Sequence, residues 1–301
     1  MFIIKYKKIF ISISIGLVLL SILLVSVFGL KFGIDFKGGA LIEVNYSDSL
    51  PSVLDIKSSL GSLSLGEISV QPSGTTEYIL KTRDLTTEEH TSLLNLLSEN
   101  GKYKLTEKSF TSIGPSVGDE LTQKAIWAII FVMLAILLFI AYAFSKVSKP
   151  VSSWKYGLIA LVTLLHDIAI PTGLFAILGH YMGAEVDTLF VVALLTVLGL
   201  SVSDTIVVFD RIRENIRNHT SNDFEKTVGI SLSQTFTRSI NTSLTVILVL
   251  LSLYFFGPAS TKNFALVLTV GLFFGTYSSI FLASPLLVVT EQWQTKKSTK
   301  K

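Results

Sequence analysis

The chain has 301 residues, half of them apolar and 16% charged, with a formal net charge of +3 and no cysteine. So apolar a composition excludes an ordinary soluble domain and makes the bilayer the expected solvent. Without cysteine, disulfides, thiolate metal sites and a cysteine nucleophile drop out; the basic residues follow a membrane pattern rather than one for nucleic acid.

Residues 9–30 contain no charged side chain. At 1.5 Å per residue, about 22 positions cross a hydrocarbon core of roughly 30 Å, so this run reads as a spanning helix. Lys5, Lys7 and Lys8 before it resemble the basic region of a signal peptide, but the run is too long and no small-x-small cleavage site precedes Lys31.

The segment 31–124 is enough for one small domain. A strand is expected at 41–46 and a short helix at 52–60, opened by Ser52 with Asp55 at capping-box distance. Strands at 68–71 and 77–81 flank the turn residues Pro72, Ser73 and Gly74. Thr86 with Glu89 caps a second helix, stopping at Asn100 and Gly101, and a last strand covers about 103–110. The order βαββαβ predicts a small α+β ferredoxin-like sandwich. His90 and the scattered carboxylates read as a solvated helix face, with no catalytic constellation.

Five further apolar runs follow, at 125–144, 156–179, 188–209, 239–257 and 264–289. Lys146, Lys149 and Lys155 follow the second span; Arg211, Arg213, Arg217 and Lys226 the fourth; Lys296, Lys297, Lys300 and Lys301 the sixth. The segments after the third and fifth hold only Lys262. By the positive-inside rule both termini are cytoplasmic and 31–124 is extracytoplasmic. Trp127, Trp154 and Trp293 fall near span ends, where interfacial aromatics belong. The expected fold is an α-helical polytopic membrane protein with six transmembrane helices. Its parts are the N-tail and first helix at 1–30, the inserted domain at 31–124, a five-helix bundle at 125–292 and a basic tail at 293–301.

An ionisable side chain at membrane depth costs at least about 2.5–3.5 kcal/mol on insertion scales, so it calls for a partner, a cavity or a function. Asp204 lies about 10 Å from the inner end of the fourth run, and Arg238 begins the fifth from the same side. Similar depth on adjacent antiparallel helices lets them pair, as a proton-responsive switch or as a static tie between helices. His166 and Asp167 fall near the middle of the third run, either extending a relay or bonding neighbouring backbone. About 100° separates adjacent helical residues, so both cannot face one partner. Gly199 and Ser203, like Gly271 and Gly275, stand four apart and would let helix backbones approach. Asn241 and Thr242 join Ser239, Ser243 and Thr245 in a polar stripe beside Arg238, suited to a hydrated crevice or to local helix hydrogen bonding. No P-loop, zinc spacing or nucleophile elbow is present, so neither an enzyme nor a cofactor or metal site is expected.

Four stretches then carry a family resemblance: Phe32-Gly-Ile-Asp-Phe-Lys-Gly-Gly39, Ile113-Gly-Pro-Ser-Val-Gly-Asp-Glu-Leu121, Gly199-Leu-Ser-Val-Ser-Asp-Thr-Ile-Val-Val-Phe-Asp-Arg-Ile-Arg-Glu-Asn215 and Arg238-Ser-Ile-Asn-Thr-Ser-Leu-Thr245. In order and nearly end to end, the chain resembles the SecF side of the SecD/SecF protein-export family, within the RND-like superfamily. Many members have Tyr and Asn where this chain has Leu200 and Ser203. The resemblance implies six spans forming an RND-like half in the bacterial inner membrane, with a SecD homologue supplying the other six. It also implies work beside the SecYEG channel and YajC on unfolded exported polypeptide. Asp204 and Arg238 take the ion-coupling role, driven by proton-motive force or sodium. Asp35, Gly38, Gly39, Gly199, Asp210 and Arg211 are motif residues of structural role, Gly38 and Gly39 permitting a tight turn into the first strand. A small-molecule exporter half and a non-transducing scaffold of the channel are the rival functions.

Overall fold

The computed structural model describes residues 2–47, 50–61, 63, 65, 66, 68–99, 101–145 and 151–298. Asn100, Lys146, Lys149, Lys300 and Lys301 lie outside the described residues. In chain order come α1 (Phe2–Lys5), α2 (Lys7–Phe28), α3 (Ile34–Lys37), β1 (Gly39–Tyr46), α4 (Val53–Leu60), β2 (Ser69–Ser73), β3 (Glu77–Thr82), α5 (Thr87–Leu97), β4 (Leu105–Ile113) and α6 (Pro115–Ala143). Then follow α7 (Ser153–Met182), α8 (Thr188–Arg217), α9 (Phe224–Phe256), α10 (Ala259–Ser278), a π-helical turn (Ser279–Ala283) and α11 (Ser284–Ser298). Two compact units result, one of Met1–Lys31 with Trp127–Lys301, the other of Phe32–Ile126.

The smaller unit is a four-stranded antiparallel sheet in the order β2-β3-β1-β4. Along β1, Ala40, Ile42, Val44 and Tyr46 are buried and alternate with half-buried neighbours, the period of two that a one-sided sheet requires. Ile42, Val44 and Tyr46 share a core with Ile56 and Leu60 of α4 and Leu93 and Leu97 of α5, each helix pair four apart on one face. Ser52 Oγ accepts from the Asp55 amide, and Thr86 with Glu89 forms the full capping box. The hairpin turn sits later than expected. Pro72 and Ser73 belong to β2, an edge strand where a missing N–H costs nothing, and Gly74 takes positive φ to open the turn.

Gly38 and Gly39 have φ of 77° and 141°. A Cβ on Gly38 would stand 2.9 Å from the Pro115 backbone, and one on Gly39 2.7 Å from the Thr82 carbonyl. Both conformation and space therefore demand glycine here. Asp35 lies in the first turn of α3, directly before this bend.

Among the described residues, six helices are long and apolar enough to cross a membrane. The last span and α7 bury 61% and 56% of their most apolar stretches, against 11% for α2 and 6% for α6. The former pair is the interior of the bundle and the latter pair its rim. Two buried serines, Ser14 and Ser21, make the inner face of α2. Gly173 of α7 meets Ser21 so closely that a Cβ would lie 2.6 Å from its Cα.

Two sequence expectations are corrected. The fifth helix begins at Phe224 rather than near 239, and α8 continues to Arg217, past the apolar run that ends near 209. Polar pairs sustain both helices beyond the apolar stretch: Asn215 Nδ2 donates to Ser231 Oγ and Gln234 Oε1, each at 2.8 Å, and Arg211 Nε to Gln234 Oε1 at 2.7 Å. Gly199 makes no close helix approach, a Cβ there meeting nothing within 4 Å, and Ser203 is exposed. The contact of α8 runs along Val197 and Ser201 instead, against Gly271 and Gly275 of α10.

Candidate ion-coupling site

Asp204 is half-buried on the inner side of α8, between α9 and α10. Its Oδ2 accepts from Ser243 Oγ of α9 at 3.3 Å and Thr276 Oγ1 of α10 at 3.4 Å. Those two hydroxyls lie 2.5 Å from each other. Three helices thus converge on one carboxylate oxygen, and glycine is why they can. A Cβ on Gly275, next to Thr276, would stand 2.9 Å from Ser201 Cβ.

No ion pair joins Arg238 to Asp204 among the described residues; the partners of the carboxylate are hydroxyls. The reason is register. The pairs Arg211 with Gln234, Asn215 with Ser231 and Asp204 with Ser243 share one antiparallel alignment. Arg238 precedes Ser243 by five residues, about 7.5 Å along the axis and about 140° around it. It is an exposed cation more than a turn from Ser243 along α9.

Ser203, Asn241, Thr242 and Thr245 are exposed beside it. Thr242 Oγ1 donates to the Arg238 carbonyl at 2.9 Å and Thr245 to that of Asn241. Local helix bonding thus occupies these hydroxyls, while the Arg238 and Asn241 side chains stay on the open face. Asp210 pairs with Arg213, and Arg211 Nη1 donates to Glu214 Oε2 at 2.6 Å, so both acidic partners lie on the same helix.

His166 and Asp167 are buried, 2% and 0% exposed. Although adjacent, they meet each other, His166 Nδ1 lying 2.9 Å from Asp167 Oδ1. The other oxygen of Asp167 accepts from Ser201 of α8 and, at 2.9 Å, from Ser278 Oγ of α10. Sequence reasoning missed Ser201, Thr276 and Ser278 as carboxylate partners. Their only advance signal was the Gly271–Gly275 spacing, which marks where α10 closes on another helix.

The description "Protein export membrane protein SecD/SecF, C-terminal" matches residues 93–293, and "SecD/SecF GG Motif" matches residues 24–49. The chain is 43% identical to a protein translocase subunit SecF of Thermobaculum terrenum, across 98% of this chain and 94% of that one. It is 36% identical to that of Anaerolinea thermophila, across 96% and 94%. Among solved structures, SecDF of Thermus thermophilus superposes with a TM-score of 0.81 at 29% identity, over 97% of this chain. SecDF in its super-membrane-facing form gives 0.70 at 29% identity. The chain spans 38% and 40% of those two SecDF chains. With the family match covering most of its length and six apolar helices, the chain belongs to the SecD/SecF family of protein-export membrane proteins, on its SecF side, and is a multi-pass membrane protein.

Proposed function

We propose that this chain works with a SecD homologue to convert a transmembrane ion gradient, proton-motive force or sodium, into late movement of exported polypeptide through the SecYEG channel. The observation that carries the reading is the Asp204 site: a carboxylate inside a span, held by hydroxyls from two other helices, with an exposed cation more than a turn from Ser243 along α9. Neutralising Asp204 removes the charge those hydroxyls hold, and α8, α9 and α10 repack. Moving one charge through the membrane potential supplies about 2.3 kcal/mol per 100 mV, enough to bias two packings of similar energy. Nothing is covalently transformed.

The open polar face supports the SecD partnership. Ser203, Arg238, Asn241 and Thr242 are exposed on spanning helices, where bare contact with lipid is costly. A second helical half covering them removes that cost, and the matched SecDF chains carry more than this chain's length. The strand order of the smaller unit, with every neighbouring pair antiparallel, supports a ferredoxin-like domain. The distribution of Lys and Arg supports cytoplasmic termini and an extracytoplasmic domain, and the likeness to bacterial SecF subunits supports residence in the inner membrane.

The test follows a precursor already threaded into the channel, in sealed vesicles containing the wild-type complex with SecD. Imposing a proton or sodium gradient should speed its completion; equal rates with and without either gradient would sink the reading.

A further inference from the structure

An open groove of about 300 Å³ runs along the surface of the larger unit between α2, α7 and the last span. Its lining is aliphatic: Ile11, Ile15 and Leu19 from α2, Val162 and Leu165 from α7, and Leu286 from α11. Ile15, Leu19, Val162 and Leu165 are exposed, so the groove opens sideways onto whatever surrounds the spans, which is lipid. From Ile11 to Leu19 is about 12 Å along α2. One leaflet of a hydrocarbon core of roughly 30 Å is about 15 Å deep, so the groove has the length of a single leaflet.

Its end sets it apart from bare helix surface. One heptad before Ile15 stands Lys8, one heptad before Val162 stands Lys155, and one heptad after Leu286 stands Trp293. Seven residues make about 700° of rotation and about 10.5 Å of rise, so each lies on the groove's own helix face, beyond the residue that lines it. Alternation of the spans puts all three at the basic end of the bundle. There Lys155 Nζ lies 5.7 Å from the centre of the Trp293 ring. Lys7, the neighbour of Lys8, donates to Glu225 Oε1 at 2.7 Å, and Glu225 Oε2 accepts from Gln292 Nε2 at 2.8 Å, which ties the start of α2 to α11 beside Trp293. Glu225 is thereby engaged, and no acidic side chain pairs with Lys8 or Lys155 among the described residues.

Two ammonium groups without a carboxylate, and an indole, at the mouth of an apolar groove fit one class of ligand. A phosphodiester takes the ammonium donors, tryptophan sits at the level of lipid headgroups, and an acyl chain takes the groove. An apolar helix of a partner would fill the groove but leave both cations unmatched. We propose that this is a binding site for an anionic phospholipid, its phosphate on Lys8 and Lys155 beside Trp293 and one acyl chain along α2 between Ile11 and Leu19. Such a lipid packs on α2, α7 and α11 together, and so braces a rim helix that buries only 11% of its most apolar stretch.

The site is independent of the Asp204 reading, and its test needs neither export nor a gradient. The full-length chain is placed in phosphatidylcholine bilayers doped with phosphatidylglycerol or phosphatidylcholine carrying a photoreactive diazirine in its acyl chain, and adducts are mapped by mass spectrometry. Phosphatidylglycerol should label residues 11–19 and 162–165 at least threefold more than phosphatidylcholine does. The exposed face of α6, at Phe131 and Phe139, should take both lipids alike as ordinary boundary lipid. Lys8→Gln with Lys155→Gln should erase the preference. Val162→Phe, at an exposed position, fills the groove while keeping both lysines; it should lower groove labelling at least threefold and leave that of α6 unchanged. Equal labelling by the two lipids, a preference that survives loss of both lysines, or groove labelling unaltered by Val162→Phe overturns the proposal. So does loss of the labelling when the SecD homologue is added, which would make a protein helix the occupant.

Discussion

Ser243 Oγ of α9 and Thr276 Oγ1 of α10 lie 2.5 Å apart, and both are aimed at the same oxygen of Asp204 on α8. Two hydroxyl hydrogens are shared among the carboxylate and the contact between the hydroxyls, so the pair acts as one unit. Removing either should lower gradient-stimulated export about threefold to tenfold, the ~0.7–1.4 kcal/mol expected for one long hydrogen bond to a charged group. The double variant Ser243→Ala with Thr276→Val should cost less than the sum of the two. Export rates of the four forms, at equal complex abundance, check this; strict additivity would show two independent contacts.

The two glycine sites on α8 and α10 should respond in opposite senses. Gly271 packs on Val197 with no space for a methyl group, so Gly271→Ala should destabilise by about 1–3 kcal/mol through overpacking. Gly199 faces open space, and Gly199→Ala should be neutral or stabilising by up to about 1 kcal/mol from helix propensity. Unfolding midpoints in mixed micelles compare them, and equal losses would contradict the α8–α10 contact described.

In the smaller unit, Gly39→Ala should cost about 2 kcal/mol or more, since it combines φ near 141° with a clash on the Thr82 carbonyl. Hydrogen exchange in β1 and β3 should accelerate. Tyr46→Phe should cost about 1–2 kcal/mol, because the buried Tyr46 hydroxyl donates to the Leu97 carbonyl at 3.1 Å, which is then left without that donor.

Much of this architecture is legible in the sequence because its signals are local. Long apolar runs mark the spans, alternation marks β1, and the Thr86–Glu89 spacing marks the start of α5. The carboxylate environments are not local. The Leu272 carbonyl, 3.0 Å from Thr276 Oγ1, and the Gly275 carbonyl, 3.0 Å from Ser278 Oγ, are alternative acceptors for the one hydrogen of each hydroxyl. A hydroxyl in an apolar helix looks satisfied by its own backbone, and only the pairing of helices reveals its second partner. The expected Asp204–Arg238 contact failed for a related reason. Apolar runs end before the helices do, so the alignment of α8 with α9 is set by the polar Arg211–Gln234 and Asn215–Ser231 contacts beyond them.

One pH dependence lies outside the bundle. Glu89 accepts from Arg83 and from the Thr86 amide, and these donors hold its carboxyl at about 2, below the usual carboxylate value of 4.5. A carboxylate with a depressed folded value contributes stability that is present above pH 4.5 and lost as pH falls toward 2. Amide exchange at the start of α5 in the full chain should therefore rise across that window, and Glu89→Gln should flatten the rise. A profile unchanged by the substitution would place the acid sensitivity elsewhere.

The central claim is that the charge on Asp204 carries the coupling. The most direct measurement takes Asp204→Asn, assembled with the SecD homologue in proton-loaded vesicles, and compares the gradient-stimulated part of export with wild type at matched complex abundance. The account predicts normal assembly with that part abolished; normal assembly with full gradient stimulation would contradict it.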